Sequence, residues 1–187
     1  MKILFLNINY GIKFIFNSWF WKKEKVYYKK PPPTGFVFPY LLRDYRISLE
    51  TLVFRKATAD SLTRAFDPEF SFIADMDLAI RLSRVSHLAH FPAPLAKWRV
   101  HAKSESWSSP ETFLFERERW IKKMLQENPG LQELYPKEIH IFKQVTGRLK
   151  ITHELDTGRR VKAWQGLQTS NLPRFQKISL ALFTVFP

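Results

Sequence analysis

The sequence predicts a mixed α/β chain, in which a short mixed sheet with helices is followed by a helical C-terminal extension. Two apolar runs, 49–55 and 95–100, have the length and composition of strands. Between them, Leu78 and Leu82 recur at the spacing of one helix face. Beyond residue 110, prolines and glycines separate longer stretches that are typical of helices. The first part therefore combines strands with helices, and the second part is helical.

The composition excludes several kinds of site and narrows the class of partner. The 187 residues contain no cysteine, which excludes a disulfide framework and a thiolate metal site. The net charge of +13 is concentrated at both ends, because residues 1–46 carry 9 Lys and Arg against 2 acids and residues 140–187 carry 8 against 2. Basic ends around a neutral middle suit an anionic membrane surface or a phosphate-bearing ligand at least as well as they suit nucleic acid.

The first 21 residues are apolar and aromatic, but Asn7, Asn9, Lys13 and Asn17 interrupt them. A membrane-spanning helix needs about 18 uninterrupted apolar residues, so we predict none here. The segment also lacks the charged start and the small-residue cleavage site of a signal peptide. We expect a cytoplasmic protein, and the alternatives are peripheral contact to a membrane and an interfacial or signal-anchor role of this segment.

Two breaks divide the chain into three predicted segments. The run KKPPPTGF at 29–36 cannot continue a helix or a central strand, and NPG at 128–130 ends a helix. Residues 1–30 form a basic, aromatic segment to which we assign no structure. Residues 31–127 form the central domain, and residues 128–187 form a basic helical extension.

The elements of the central domain follow from apolar spacing and from turn residues. Pro92 and Pro94 mark a turn between two short runs. The predicted elements are a buried strand (49–55), a short helix (56–65), a turn (66–70), a helix from about residue 75, and a strand pair (86–91 with 95–100).

The remaining elements are helices. Ser108 and Glu111 have the spacing of a capping box, and Pro110 suits the first turn of a helix that should run to Glu127. Three further helices are predicted at 137–150, 159–170 and 173–185, with basic outer faces.

Asp75 and Asp77 stand two residues apart at the predicted start of a helix, and the pattern has two interpretations. Acids are favoured there because they face the positive end of the helix dipole. A helix points such residues in different directions, so the pair can share one ion only if Asp75 is still in the loop. In the alternative, Asp75 acts as a general base whose pKa is raised by burial.

His101 follows the apolar run at 95–100 and closes the stretch KWRVH, in which Trp98 and Arg99 precede it. A lone histidine after a strand is commonly a surface residue or a satisfied structural one. The functional alternative is an imidazole that reaches a divalent metal or a phosphate, with Arg99 as a bidentate phosphate ligand. Phosphate-loop, dinucleotide and nucleophile-elbow motifs are absent from the sequence.

Taken in order, these pieces resemble the C-terminal half of family 2 glycosyltransferases with the GT-A fold. The resemblance covers residues 47–107. Its parts are FDPEF, the acid pair in ADMDLAIRL, the PAPL turn, and the closing KWRVHAKSES. Each part is weak alone, but their order and spacing make a specific pattern. The resemblance implies a partial GT-A fold, with residues 31–127 as its acceptor-side half.

The resemblance also implies roles for particular residues. Asp75 corresponds to the base that deprotonates the acceptor hydroxyl, and Asp77 either supports the helix start or helps to bind acceptor. His101 corresponds to the histidine near the metal and diphosphate, with Arg99 beside it. Thr34 and Gly35 lie in a loop on the acceptor side.

The implied reaction is an inverting sugar transfer from a nucleoside-diphosphate sugar to a hydroxyl of a glycan or lipid-linked acceptor. Mg²⁺ or Mn²⁺ is the implied cofactor. Such chemistry belongs to the synthesis of glycans or of cell-surface polysaccharide.

The nucleotide-binding half of the family, with its DxD metal motif, has no counterpart in these residues. We therefore expect a truncated product, or one half of a split enzyme completed by another chain. A lone acceptor-side half exposes a sheet edge, which predicts association through that edge. The rival interpretation is a non-catalytic basic binding or interaction module, and a nucleic-acid adaptor is a third, weaker one.

Overall fold

A computed structural model describes residues 3–7, 10–13, 24–26, 33–91, 96–99 and 109–185, with side-chain surroundings for 33–91 and 109–181. The chain divides into two compact units, Met1–Ser109 and Pro110–Pro187, and each is described by itself. Helices predominate among the described residues, and strands occur only in the first unit. The predicted class, a mixed chain with a helical C-terminal part, is confirmed at this level.

The described strands of the first unit form two three-stranded sheets. In one sheet the central strand β1 lies antiparallel to β4 and parallel to β5. In the other, β2 lies antiparallel to β3 and parallel to β6. The strands are β1 (Ile3–Asn7), β2 (Tyr10–Lys13), β3 (Glu24–Val26), β4 (Leu52–Val53), β5 (His87–Phe91) and β6 (Ala96–Arg99).

Three α-helices belong to the described part of the first unit: α1 (Phe38–Arg43), α2 (Lys56–Asp60) and α3 (Ala74–Val85). Helix α1 begins with a proline at its second position, which suits a first turn that needs no amide donor. Helices α1 and α3 pack together, because each buries one apolar face. Their joint core places the start of α3 beside the segment that follows α1.

Helix α3 follows from its sequence pattern. Leu78, Ile80 and Leu82 are fully buried, and two aspartates occupy the first turn, as predicted for a helix that starts near residue 75. The helix ends at Val85, which is exposed. Ser86 adopts an extended backbone, and its hydroxyl donates to the carbonyl of Leu82 (2.6 Å), so one open carbonyl is satisfied.

Three predictions for the first unit need correction. The run 49–55 is not a buried strand: residues 49–51 form a 3₁₀ turn, β4 has two residues, and Val53 is 60% exposed. The helix predicted at 56–65 stops at Asp60. The runs 86–91 and 95–100 do contain strands, but β5 and β6 pair with β1 and β2 in different sheets. Apolar composition cannot specify a strand partner, which explains the last error.

The second unit consists of helices among its described residues. They are α4 (Pro110–Glu127), α5 (Leu131–Leu134), α6 (Pro136–Asp156), α7 (Arg160–Thr169) and α8 (Arg174–Val185). The bounds of α4 are as predicted, and the three predicted helices that follow it are present within a few residues, apart from α6, which extends to Asp156. Among the described residues, no helix has both the length and the apolar character needed to cross a bilayer.

Helix α4 packs on α6 around a buried aromatic pair. The rings of Trp120 and Phe142 lie 5.2 Å apart between centroids. The guanidinium of Arg117, which is also buried, stands 4.3 Å above the Phe142 ring, and its Nε donates to the hydroxyl of Thr146 (3.2 Å). Stacking and a hydrogen bond thus offset part of the cost of burying this charge.

Because α4 packs on α6, it groups with the C-terminal helices and not with the central segment. The predicted division at residue 127 falls at the end of this helix, whereas the compact units meet at its start. The functional roles assigned to the three segments, 1–30, 31–127 and 128–187, stay predictions.

A glycine follows the end of helix α6, because the turn there needs a backbone conformation that other residues rarely adopt. Gly158 has φ of 73°, in the left-handed region, and its amide donates to Leu155 O (2.9 Å). The amide of Arg159 donates to Glu154 O (2.8 Å), which completes a Schellman motif. The turn brings α7 back against α6. A small hydrophobic core forms where they pack, and it consists of Ile151, Ala163, Leu167 and Leu172.

Two glycine substitutions test the geometry of this turn: one lies in the turn, and the matched control lies inside helix α6. Gly158→Ala should lower the free energy of unfolding by about 1 kcal/mol, because alanine is strained at positive φ. Gly147→Ala, inside α6 with open space around it, should raise that free energy by about 0.5–1 kcal/mol. Urea unfolding of both variants checks the pair, and equal effects would contradict the Schellman geometry.

Candidate functional site

The predicted base, Asp75, lies in the first turn of α3 in the first unit. Its Oδ1 accepts a hydrogen bond from the backbone amide of Met76 (2.8 Å), and its Oδ2 accepts one from the hydroxyl of Tyr45 (3.2 Å). Tyr45 belongs to the irregular segment after α1. The side chain is half-buried, and it forms no ion pair with any described residue.

Burial raises the pKa of the Asp75 carboxyl above its ordinary value of 3.8, and the negative charge of Glu50 raises it further. The hydrogen bonds from Met76 and Tyr45 favour the charged form and lower the pKa, but they do not offset the loss of hydration. A carboxylate with a raised pKa is a stronger base than one in water. The geometry therefore suits Asp75 to accept a proton.

Asp77, two residues on, has a different environment. It is 4% exposed, and its Oδ2 accepts from both Nε (3.0 Å) and Nη2 (2.5 Å) of Arg81. The same guanidinium donates to the carbonyls of Arg64 (2.5 Å) and Ala65 (2.7 Å). Asp77 thus anchors the arginine that holds the preceding loop, which supports its structural interpretation over acceptor binding.

The loop before α3 is the predicted turn FDPEF, and a second buried carboxylate organises it. Asp67 is 4% exposed; its Oδ1 accepts from the amide of Glu69 (3.1 Å) and its Oδ2 pairs with Arg64 (2.8 Å). The amide of Phe70 donates to Asp67 O (3.1 Å), which closes the turn. Asp67 and Arg81 therefore fix the path of the chain into α3.

The loop candidates Thr34 and Gly35 precede α1, and Gly35 pairs with β5. Gly35 has φ of 88°, and its backbone exchanges two hydrogen bonds of 2.8 Å with Leu88 in β5. The positive φ and this pairing explain on structural grounds why a glycine stands at position 35. Thr34 is exposed, so its hydroxyl is accessible to a ligand. No contact places either residue against Asp75, and their role in acceptor binding stays a prediction.

His101 lies outside the described residues. Arg99 is the last residue of β6, and its side chain is also outside the described part. The described residues contain no group of three His, Asp or Glu side chains that could hold a metal ion. These residues alone therefore do not supply a donor set for the implied Mg²⁺ or Mn²⁺, and the cofactor stays a prediction.

Sequence reasoning missed Tyr45, Glu50 and the function of Arg81. Tyr45 contacts a residue 30 positions away, and no periodic pattern signals such a contact. Glu50 acts on Asp75 through its charge alone. The Asp77–Arg81 pair did carry a signal, because residues four apart face each other on a helix.

Comparison of the chain with protein-family models, with curated proteins and with solved structures finds no match.

The buried Asp77–Arg81 pair and the exposed Lys56–Asp60 pair share the i, i+4 spacing and allow a matched comparison. Asp77→Asn should lower the free energy of unfolding by about 3 kcal/mol, because it leaves Arg81 without its counter-charge. Asp60→Asn should change it by less than about 0.5 kcal/mol. Urea unfolding with equal losses for the two variants would show that Arg81 does not hold the loop.

The raised pKa of Asp75 predicts a pH-dependent stability. Between the unfolded pKa and the raised folded one, the native state binds more protons than the unfolded state, so wild-type stability falls as pH rises. Asp75→Asn removes this loss. The stability of the variant minus that of wild type should therefore rise with pH above about 3.8 and then level off. Urea titrations across this range, with Asp60→Asn as the exposed control, check the sign; a difference that falls with pH contradicts it.

Proposed function

We propose that this chain is the acceptor-side half of a family 2-like, inverting glycosyltransferase, with Asp75 as the base. The pattern from FDPEF to KWRVH is one support. The observation that carries the proposal is the contrast between the two aspartates of α3. Asp77 is buried and paired with Arg81, whereas Asp75 is desolvated and has no cationic partner among the described residues.

The proposed reaction uses the groups around Asp75 as follows. A hydroxyl of the acceptor donates a hydrogen bond to the Asp75 carboxylate and transfers its proton there as its oxygen attacks the anomeric carbon of the donor. The bond from that carbon to the diphosphate oxygen breaks, and the nucleoside diphosphate leaves with the electron pair. Transfer with inversion follows from attack on the face opposite the leaving group.

Tyr45 and Met76 orient the carboxylate for this step. Each donates to one of its two oxygens, and the backbone amide of Asp75 itself contributes a third hydrogen bond. A carboxylate has about four lone-pair directions, so one remains for the acceptor hydroxyl. The acceptor hydroxyl therefore has a place to bind without displacing either donor. The rigid start of α3, which Asp77 and Arg81 hold, sets the position of all three groups.

Other parts of the proposal rest on the resemblance. The donor is a nucleoside-diphosphate sugar, the acceptor is a glycan or lipid-linked hydroxyl, and the cofactor is Mg²⁺ or Mn²⁺. His101 and Arg99 are proposed to face the diphosphate. A nucleotide-binding half with a DxD motif completes the enzyme, either on the same polypeptide or on a second one.

The test is sugar transfer by the 187-residue chain combined with a DxD-bearing nucleotide-binding half, Mn²⁺, a UDP- or GDP-sugar and an acceptor. Asp75→Asn should lower kcat by about 10²–10⁴-fold, because it removes the proton acceptor, while KM for acceptor changes little. Release of nucleoside diphosphate measures the rate.

Asp60→Asn is the control, because it removes an exposed carboxylate of the same unit. A wild-type rate in Asp75→Asn would contradict the base assignment. Wild-type chain that shows no calorimetric binding of any acceptor tested would favour the rival, a non-catalytic binding module.

A further inference from the structure

Among the described side chains, helices α7 and α8 are apolar on two faces, and described residues cover only one of these faces. The covered face is the small core that Ala163 and Leu167 of α7 share with α6, against which Leu180 and Ala181 of α8 pack. The other face of each helix presents an apolar pair at i, i+3 spacing, which places both members on one side of the helix. The pairs are Val161 with Trp164 and Phe175 with Ile178.

These four side chains are exposed to an extent that is unusual for their types. Val161 is 73% exposed, Phe175 69%, Ile178 64% and Trp164 41%. Single exposed apolar residues need no explanation, but two consecutive helices that repeat the same arrangement do.

Basic residues stand next to each exposed pair. Arg160 and Lys162 flank Val161, Arg174 precedes Phe175, and Lys177 precedes Ile178. These four form no ion pair with a described residue, whereas Arg159 is held by Glu111 and Glu154. Residues 157–187 contain no acid at all. We call this set of four apolar and four basic residues the α7–α8 surface.

We propose that the α7–α8 surface binds the face of a membrane that carries anionic phospholipid. The apolar side chains enter the boundary between headgroups and acyl chains, and the lysines and arginines reach lipid phosphates with their stems along the apolar region. Tryptophan is favoured at this depth because its ring is apolar and its N–H is polar. This inference does not depend on the proposed transferase activity.

The chemistry of the surface favours lipid over other partners. A protein partner suits it less, because charged residues are depleted from the core of protein–protein interfaces, and here four cations stand directly beside the apolar side chains. A nucleic acid would use the cations, but it has no contact to offer Val161 or Ile178 at the level of its phosphates. Of these three partners, an anionic lipid surface is the one that contacts both the apolar pair and the neighbouring cations of each helix.

The test measures binding of the full chain to vesicles by co-sedimentation, with neutral phosphatidylcholine or with added phosphatidylglycerol. Wild type should bind the anionic vesicles, and binding should weaken as salt rises. The variant Phe175→Ala/Ile178→Ala should lower the partition coefficient by at least about tenfold. Neutralising Lys162 and Arg174 to Gln should lower it by about fivefold for each charge.

The second unit provides a matched control in Phe115→Ala/Leu134→Ala. These residues are 61% and 73% exposed, but carboxylates lie near them on the helix surface: Glu111, four positions before Phe115, and Glu133, directly before Leu134. This variant should bind as wild type does. An equal loss in it, or equal binding to neutral and anionic vesicles, would overturn the proposal.

Two further measurements test whether binding occurs through the α7–α8 surface and whether lipid is its ligand. Brominated lipid should quench tryptophan fluorescence, and Trp164→Phe should remove part of this quenching; no change in quenching counts against the surface.

The second measurement is the affinity of the same variants for a DNA or RNA duplex. If the charge variant loses nucleic acid while Phe175→Ala/Ile178→Ala keeps wild-type affinity for both ligands, the surface is a nucleic-acid site and the proposal is wrong.

Discussion

The guanidinium of Arg81 holds the part of the first unit on which the candidate site depends. It joins the buried Asp77 carboxylate to two carbonyls of the loop before α3, so helix start and loop become one rigid element. Asp67 closes the turn inside that loop. Without these ties the chain would enter α3 along several paths, and the carboxylate of Asp75 would have no fixed position relative to Tyr45.

This constraint explains why two aspartates so close in sequence differ in chemistry. Asp77 points into the protein and meets a cation, whereas Asp75 points to the side where Tyr45 and Glu50 lie and loses water without gaining a counter-charge. A helix turns about 100° per residue, so neighbours two apart face different surroundings. The acid pair is thus one structural carboxylate beside one reactive carboxylate, and the proposed base is the reactive one.

Local signals predicted what depends on neighbours in sequence. The start of α3 with its two first-turn acids, the proline at the start of α4, and the breaks at the glycines and prolines of the second unit agree with local signals. The capping box predicted at Ser108 and Glu111 falls partly outside the described residues and stays a prediction. Long-range contacts did not follow: an apolar run at 49–55 gave a two-residue strand, and nothing near residue 45 signalled its bond to Asp75. The i, i+4 spacing of Asp77 and Arg81 shows that a local signal for the rigid element was present in the sequence.

The central claim is that the Asp75 carboxylate is desolvated and poised to accept a proton. The most direct measurement is the ¹³C titration of its side-chain carboxyl by NMR, assigned with Asp75→Asn. We predict a midpoint above 3.8, and a still higher midpoint in Tyr45→Phe, because that variant loses a hydrogen bond to the charged form. A midpoint at or below 3.8 would contradict the account.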